Sequence, residues 1–457
     1  MINTIEITKF DSKIKELLYS YQRDPNPIEV NFRGLIPELN NADRYTHLIH
    51  TYPAKLLPHI PYFFLNNSFF SKPGDNVLDP FCGSGTVLLE SILSGRNAYG
   101  VDANPLARLI SQVKISTLNA GQLEIEFNHL KKSILKSSSV EFSYPDVVNI
   151  DYWFLPHIKN QLSEILASIK KIKSQVVRDF FMLCFSNCSK KVSLADPRVS
   201  VPVRLKHENY PKDHPFRAQN IRKLEELKTV NVLDKFSMVV SENLRRLKSY
   251  NAIESNLGNG KLVSNNAKKI LSPLDNGFNG LKEETVDLII TSPPYAGAQK
   301  YVRASSLNLG WTELAKSNEL KELDKLSIGR ENYRKYEYST PIETGIDEAD
   351  KLLKDIYAVN PLRAHIASNY LVEMRIALSE SVKTLKVGGH LVLVAANNQV
   401  CKKEFRTQEY LRQIAESLGL KLELRLIDDI KSYGLMTKRN KTASIITREW
   451  ILVFKKL

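Results

Sequence analysis

Cysteine is scarce in this 457-residue chain, and the four that occur exclude more chemistry than they suggest. Cys184 and Cys188 lie inside the apolar pattern Phe180-Phe181-Met182-Leu183-Cys184-Phe185, which reads as a buried helix face. With no second Cys or His pair at ligand spacing, a zinc site is not expected, and unpaired thiols fit a reducing compartment. Long apolar runs are missing too, so no bilayer-spanning helix is expected. The first residues, Met1-Ile2-Asn3-Thr4-Ile5-Glu6, have neither a basic stretch nor an apolar core. The expectation is therefore a soluble, cytoplasmic chain without a secretory leader or a membrane partner. Internal repeats and low-complexity tracts are also absent, which excludes repeat architectures.

Acidic residues are in deficit. Lys and Arg number 64 against 50 Asp and Glu, a formal charge of +14, and the isoelectric point is near 9.3. Such an excess points to a polyanionic partner, because Lys and Arg contacts to phosphates displace counterions and dominate nucleic-acid affinity. The length suggests about two or three domains with room for a sizeable core.

What the chain does have is two strand-to-loop junctions of unusual composition. Val286-Asp287-Leu288-Ile289-Ile290 runs into Thr291-Ser292-Pro293-Pro294-Tyr295. Two consecutive prolines fix φ and remove two backbone donors, so neighbouring carbonyls stay free to accept hydrogen bonds from a ligand. Ser292 adds an oxygen and Tyr295 a flat face, a combination suited to an amino-bearing base taken out of its stack. Upstream, Asn76-Val77-Leu78-Asp79-Pro80-Phe81-Cys82-Gly83-Ser84-Gly85-Thr86 is an apolar strand, a glycine turn and a helix start. Glycines there allow a ligand close to the backbone, and the free N–H groups of the following helix favour electronegative atoms. A second strand, Ala98-Tyr99-Gly100-Val101, closes on Asp102 about twenty residues after the first, the spacing at which a doubly wound fold offers a carboxylate to a ribose diol. Nucleoside binding is the reading of residues 76–105.

Together these segments resemble the S-adenosylmethionine-dependent DNA methyltransferases that modify an exocyclic amino group. Asp79-Pro80-Phe81-Cys82-Gly83-Ser84-Gly85-Thr86 is similar to the family's cofactor loop, and Ser292-Pro293-Pro294-Tyr295 to its catalytic loop. RNA guanine-N2 methyltransferases carry a similar cofactor loop, usually with Asp or Asn before Pro-Pro-Tyr; Ser292 favours DNA, and cytosine N4 over adenine N6. The resemblance implies S-adenosylmethionine as cofactor and double-stranded DNA as partner, and it allows a cognate restriction or defence protein. It makes Ser292, Pro293, Pro294 and Tyr295 the catalytic set. Cofactor contacts are expected from Asp79, Phe81, Gly83, Gly85, Thr86 and Asp102. Tyr52, Pro53, Ala54 and Lys55 resemble the segment covering the methionine part, and Asn266 stands near the adenine, where the family often has an acid. No cysteine follows a proline, so covalent attack of the cytosine-C5 type is excluded.

The implied fold is α/β: a doubly wound, Rossmann-like methyltransferase sheet with a final antiparallel strand, interrupted by a mostly helical insertion. Residues 1–44 read as an N-terminal extension, 45–117 as the cofactor half, 118–258 as a helical and basic insertion, and 259–457 as the catalytic half with an inserted segment at 301–365. Leu385-Lys386-Val387-Gly388-Gly389 looks like a helix end and a Gly-Gly turn before a core strand, and Glu449–Phe454 suits the last strand. Residues 189–223 mix Lys and Arg with Pro and aromatics and few acids, the composition of a basic loop that clamps a backbone and reads base edges. Candidate DNA contacts are Lys190, Lys191, Arg198, Arg204, Lys206 and Arg217, joined by Lys300 and Arg303 beside the catalytic loop. The competing readings are an RNA base methyltransferase and a DNA-binding protein with a decayed methyltransferase fold.

Overall fold

The structure, a computed structural model, describes residues 4–53, 55–136, 143–254, 256–274, 277–297, 300–429 and 447–457, with side chains from Lys9 onward. In chain order the strands are β1 (Ile28–Glu29), β2 (Asn76–Asp79), β3 (Asn97–Val101), β4 (Gly260–Ser264), β5 (Val286–Thr291), β6 (Leu385–Ala395), β7 (Asn398–Val400), β8 (Lys403–Phe405), β9 (Leu420–Asp429) and β10 (Arg448–Lys456). Among the described residues, eight of them form one sheet in the order β1-β9-β10-β6-β5-β2-β3-β4, and β7 and β8 make a separate hairpin. From β4 to β6 all neighbours are parallel, whereas β10 runs antiparallel to both β6 and β9. This is the expected α/β sheet with its antiparallel last strand.

The apolar runs are explained by cover on both faces, the usual condition of a parallel sheet. Val77, Leu288, Ile290, Val392 and Val394 pack on one side with Phe10, Ile14 and Phe63. Their chain neighbours Leu78, Ile289, Leu391 and Leu393 pack on the other with Tyr370, Met374 and Leu411. The N-terminal segment is thus part of this core: the helix Thr4–Arg23 buries Phe10, Ile14 and Leu17, and β1 pairs in parallel with β9.

The insertion is helical, as its periodicity indicates, with its own core around Phe127, Phe181, Phe185 and Phe236. Helix Tyr301–Trp311, from the other half of the chain, completes it: Trp311 is fully buried, edge-on to Phe154 at 5.4 Å and Phe185 at 6.0 Å.

Two sequence expectations are corrected. Gly388-Gly389 is not a turn before a strand. It lies inside β6, where Gly388 has φ +81° and the register against β5 shifts between Val286 and Leu288, so the pair marks a bulge. Residues 189–223 are not one loop either. Lys190 and Lys191 end the helix Gln175–Lys191, and Arg217 belongs to the helix Pro215–Thr229. The bridge Ala195↔Arg204 pins the stretch between them.

Candidate active site

β2 delivers the glycine turn to the carboxyl edge of the sheet, where ligands of open α/β folds bind. Gly83 has φ +49°, and Gly85, with φ +73°, caps the helix Thr86–Leu93. A Cβ on Gly85 would stand 2.9 Å from Ser111 Oγ, so glycine there serves close packing. The Cys82 N–H donates to the Val101 carbonyl at 2.9 Å and the Gly83 N–H to Asp102 Oδ2 at 2.9 Å, binding the turn to the end of β3. Asp102 Oδ1 accepts the Asn104 N–H at 2.8 Å. Burial raises the Asp102 carboxyl above its ordinary range, opposed by these two N–H donors and by Arg108.

Asp79 joins the two motifs. Its Oδ1 accepts from the Phe81 N–H at 3.0 Å and from Thr291 Oγ1 at 2.6 Å, and Thr291 immediately precedes Ser292. Burial pushes its carboxyl up to about 7, partly offset by those two donors.

A cleft opens over these ends. Of the expected cofactor residues, Tyr52, Pro53, Phe81, Gly83, Asp102 and Asn266 line it, and from the tetrapeptide Ser292 and Pro294 do. Other expected residues stand back. Asp79, Gly85 and Thr86 are behind the wall and shape it, and Lys55 is hydrogen-bonded to Asp43 outside the lining. Pro293 is buried, and Tyr295, half-buried beside the lining, donates its hydroxyl to Glu449 Oε1 at 3.4 Å. Burial, together with Asp428 across the strand pair, pushes the Glu449 carboxyl up to about 7. Ala54 lies outside the described residues.

The lining also holds Tyr301, Ser327 and Ile328, which the sequence does not assign to the cofactor, and Asn104, which lies in the 76–105 nucleoside segment but is not singled out there. Asn104 had a signal: Asn followed by Pro is a helix N-cap with proline at the first position, and its Oδ1 does accept the Leu106 N–H at 3.0 Å. Its Nδ2 donates to Tyr52 Oη at 3.2 Å and Ser305 Oγ at 2.9 Å, tying the strap that precedes β2 to the helix after the Ser292 loop. Tyr52 and Tyr301 stack with ring centroids 6.4 Å apart. The cleft fits an adenosyl ligand: a cradle whose glycine backbone is bare, a carboxylate and an amide at successive strand ends, and aromatic walls.

The candidate DNA residues differ in availability. Lys191, Lys206, Lys300 and Arg303 are exposed, although Lys300 has Glu331 3.4 Å away. Lys190 is half-buried toward the Ser200 carbonyl, and that burial lowers its pKa. Arg198 is paired with Asp196 at 2.6 Å, bonded to Asn220, and packed over Phe216 at 4.2 Å. Arg204 lies over Tyr152 at 4.6 Å, and Arg217 donates to the Tyr210 carbonyl at 3.0 Å. Among the described residues no group of three or more His, Cys, Asp or Glu could hold a metal, and no helix is long and apolar enough to cross a membrane.

Sheet order, glycine turn, acid-ended β3 and the polar-aromatic loop after β5 define a methyltransferase-type α/β site. Residues 39–112 match a family model described as DNA methylase. Type II methyltransferase M.MvaI of Kocuria varians is 26% identical over 440 residues, 91% of this chain and 92% of that protein. Type II methyltransferase M.BsoBI of Geobacillus stearothermophilus is 23% identical over 427 residues, 83% and 78% of the two chains. A crystal structure of a SAM-dependent methyltransferase from Methanosarcina mazei aligns over 85% of this chain and 95% of that one with a TM-score of 0.30 and 9% identity. The chain is thus similar to the DNA amino-methyltransferases of the N4/N6 family, a likeness that implies S-adenosylmethionine as its cofactor.

Proposed function

We propose that the chain methylates the exocyclic N4 of a cytosine within a specific site in double-stranded DNA. The observation that carries this reading is that Ser292 and Pro294 line the same cleft as Phe81, Gly83 and Asp102, so an amino-recognising loop and a nucleoside cradle face one space. When bound, S-adenosylmethionine supplies an activated sulfonium methyl group.

The protein's own work is to position and polarise. A ring-conjugated amine is a poor nucleophile because its lone pair is delocalised. Hydrogen bonds from it to Ser292 Oγ and the Pro293 carbonyl favour a tetrahedral nitrogen and aim the pair at the methyl group. Direct in-line transfer then needs the reacting atoms held about 3 to 3.5 Å apart, and no strong base, since the product ammonium loses its proton readily. Tyr295, tethered to Glu449, offers its ring to the extruded base. Of the basic residues, Lys191, Lys206 and Arg303, exposed and with no ion pair among the described residues, take phosphates. The serine at the head of the tetrapeptide supports cytosine, and the order of the halves supports target recognition by the 118–258 insertion. A cognate nuclease and a role in restriction belong to the same reading, by analogy with the Type II relatives.

Nucleoside mass spectrometry on DNA from cells expressing the protein tests it. N4-methylcytidine is expected. N6-methyladenosine would transfer the reading to the neighbouring base, and unmodified DNA would overturn it.

A further inference from the structure

Within the inserted segment 301–365, the fold lays Ser327–Glu331 between the cleft and the loop that begins at Ser292. Ser327 and Ile328 line the cavity, as do Asn266 and Ala267. One residue on, the Gly329 carbonyl accepts the Gly297 N–H at 3.0 Å. Gly329 has φ +79°, and a Cβ there would stand 2.7 Å from the Tyr295 carbonyl oxygen, so only glycine lets these two backbones approach. Two residues further, Glu331 Oε1 takes Arg363 Nη1 at 2.8 Å while Oε2 lies 3.4 Å from Lys300 Nζ. A backbone bond thus grips Gly297, at the end of the loop that begins at Ser292, and a carboxylate on the same segment reaches Lys300.

We infer that Gly329 and Glu331 are positioning residues that lock the Ser292–Gly297 loop to the wall of the cofactor cleft, so that filling the cleft stiffens the loop. The inference rests on the reading of that loop as catalytic. A ligand packed against Ser327 and Ile328 restricts a short segment whose next three residues hold the loop at Gly297 through one hydrogen bond and reach Lys300 just beyond it through one ion pair, Glu331 being anchored in turn by Arg363 of the helix Pro361–Thr384. The loop's own prolines cannot do this, because they remove donors and leave its tail to be fixed from outside.

Hydrogen–deuterium exchange on the full chain, with and without S-adenosylhomocysteine, tests the coupling in wild type, Glu331→Gln, Glu331→Asp and Gly329→Ala. In wild type the ligand slows exchange both in a peptide covering Leu326 to Asn332 and in one covering Leu288 to Arg303. In Glu331→Gln the first protection persists and cofactor affinity changes by no more than about twofold, but the second is largely lost; Glu331→Asp restores it. Single-turnover methyl transfer in Glu331→Gln falls about tenfold or more with the KM for DNA unchanged or lower, since the loop is misplaced while Lys300 gains freedom to meet phosphate. Gly329→Ala gives the same pattern if it folds, and Glu331→Gln decides the matter if it does not. Loop protection or transfer at the wild-type level in Glu331→Gln overturns the inference. Wild-type coupling without any DNA methylation overturns the functional reading instead and leaves the coupling standing.

Discussion

Replacing Asp102 with alanine removes a carboxylate that does two jobs at once. Facing the cleft, it is the group we propose for the ribose diol; facing the protein, it accepts the Gly83 and Asn104 N–H groups at 2.9 and 2.8 Å. Hydrogen bonds to a charged acceptor contribute roughly 1.5 to 3 kcal/mol. At about 1.4 kcal/mol per factor of ten, Asp102→Ala should therefore weaken cofactor binding by about 10- to 150-fold. Releasing the two N–H groups loosens the glycine turn and pushes in the same direction. Asp102→Asn separates the two effects, because its amide keeps one acceptor for the backbone while losing the charge, and it should fall between wild type and alanine. Calorimetric titration with S-adenosylhomocysteine measures the affinities, with circular dichroism confirming that each variant is folded. Wild-type affinity in folded Asp102→Ala would remove the residue from the site and with it the assignment of the cleft to a nucleoside.

Ser292→Ala should bind DNA and cofactor nearly as wild type yet slow single-turnover transfer by about a hundredfold, because its hydrogen bond matters most as the amine becomes tetrahedral; an unchanged rate would make the tetrapeptide a structural turn. Tyr295→Ala should lose about 1 to 3 kcal/mol of stacking in DNA binding, largely restored by Tyr295→Phe, which sacrifices only the tether to Glu449. Neutralising Lys191, Lys206 and Arg303 together should flatten the slope of log affinity against log salt by up to about 2 to 3, about 0.9 per phosphate contact, whereas Arg198→Ala, already committed to Asp196 and Phe216, should lower the melting temperature and leave the slope alone. Asp79, with its carboxyl raised from 3.8 to about 7, binds its proton more tightly folded than unfolded. Its contribution is therefore present in acid and lost as pH rises from about 4 to about 7. Asp79→Asn should remove that part of the pH dependence in denaturant titrations at several pH values, and an unaltered profile would refute it.

The sequence alone determined β2, β3, β5 and the last strand, the glycine turn, the acid after β3 and the serine-proline loop. Those features are local demands: positive φ at Gly83 and Gly85, missing donors at Pro293 and Pro294, and an apolar run of strand length. Each is dictated by a residue and its near neighbours, and so is visible without a fold. Tertiary structure decided what faces what. Asn104 reads as a helix cap from sequence, but its contacts to Tyr52 and Ser305 exist only because the strap, β3 and the helix after the loop converge. The Gly388-Gly389 pair reads as a turn because the residues of a bulge and a turn are alike; the difference lies in whether β5 is alongside. The basic stretch shows the same limit, since composition counts charges and cannot tell that Asp196 neutralises Arg198 while Lys206 stays in solvent. Backbone conformation is set by short-range sterics, which sequence displays directly. Cavity walls are set by contacts such as Asn104 with Ser305, some two hundred positions apart, and charge availability by which partner each side chain takes up; both arise only when the chain has packed.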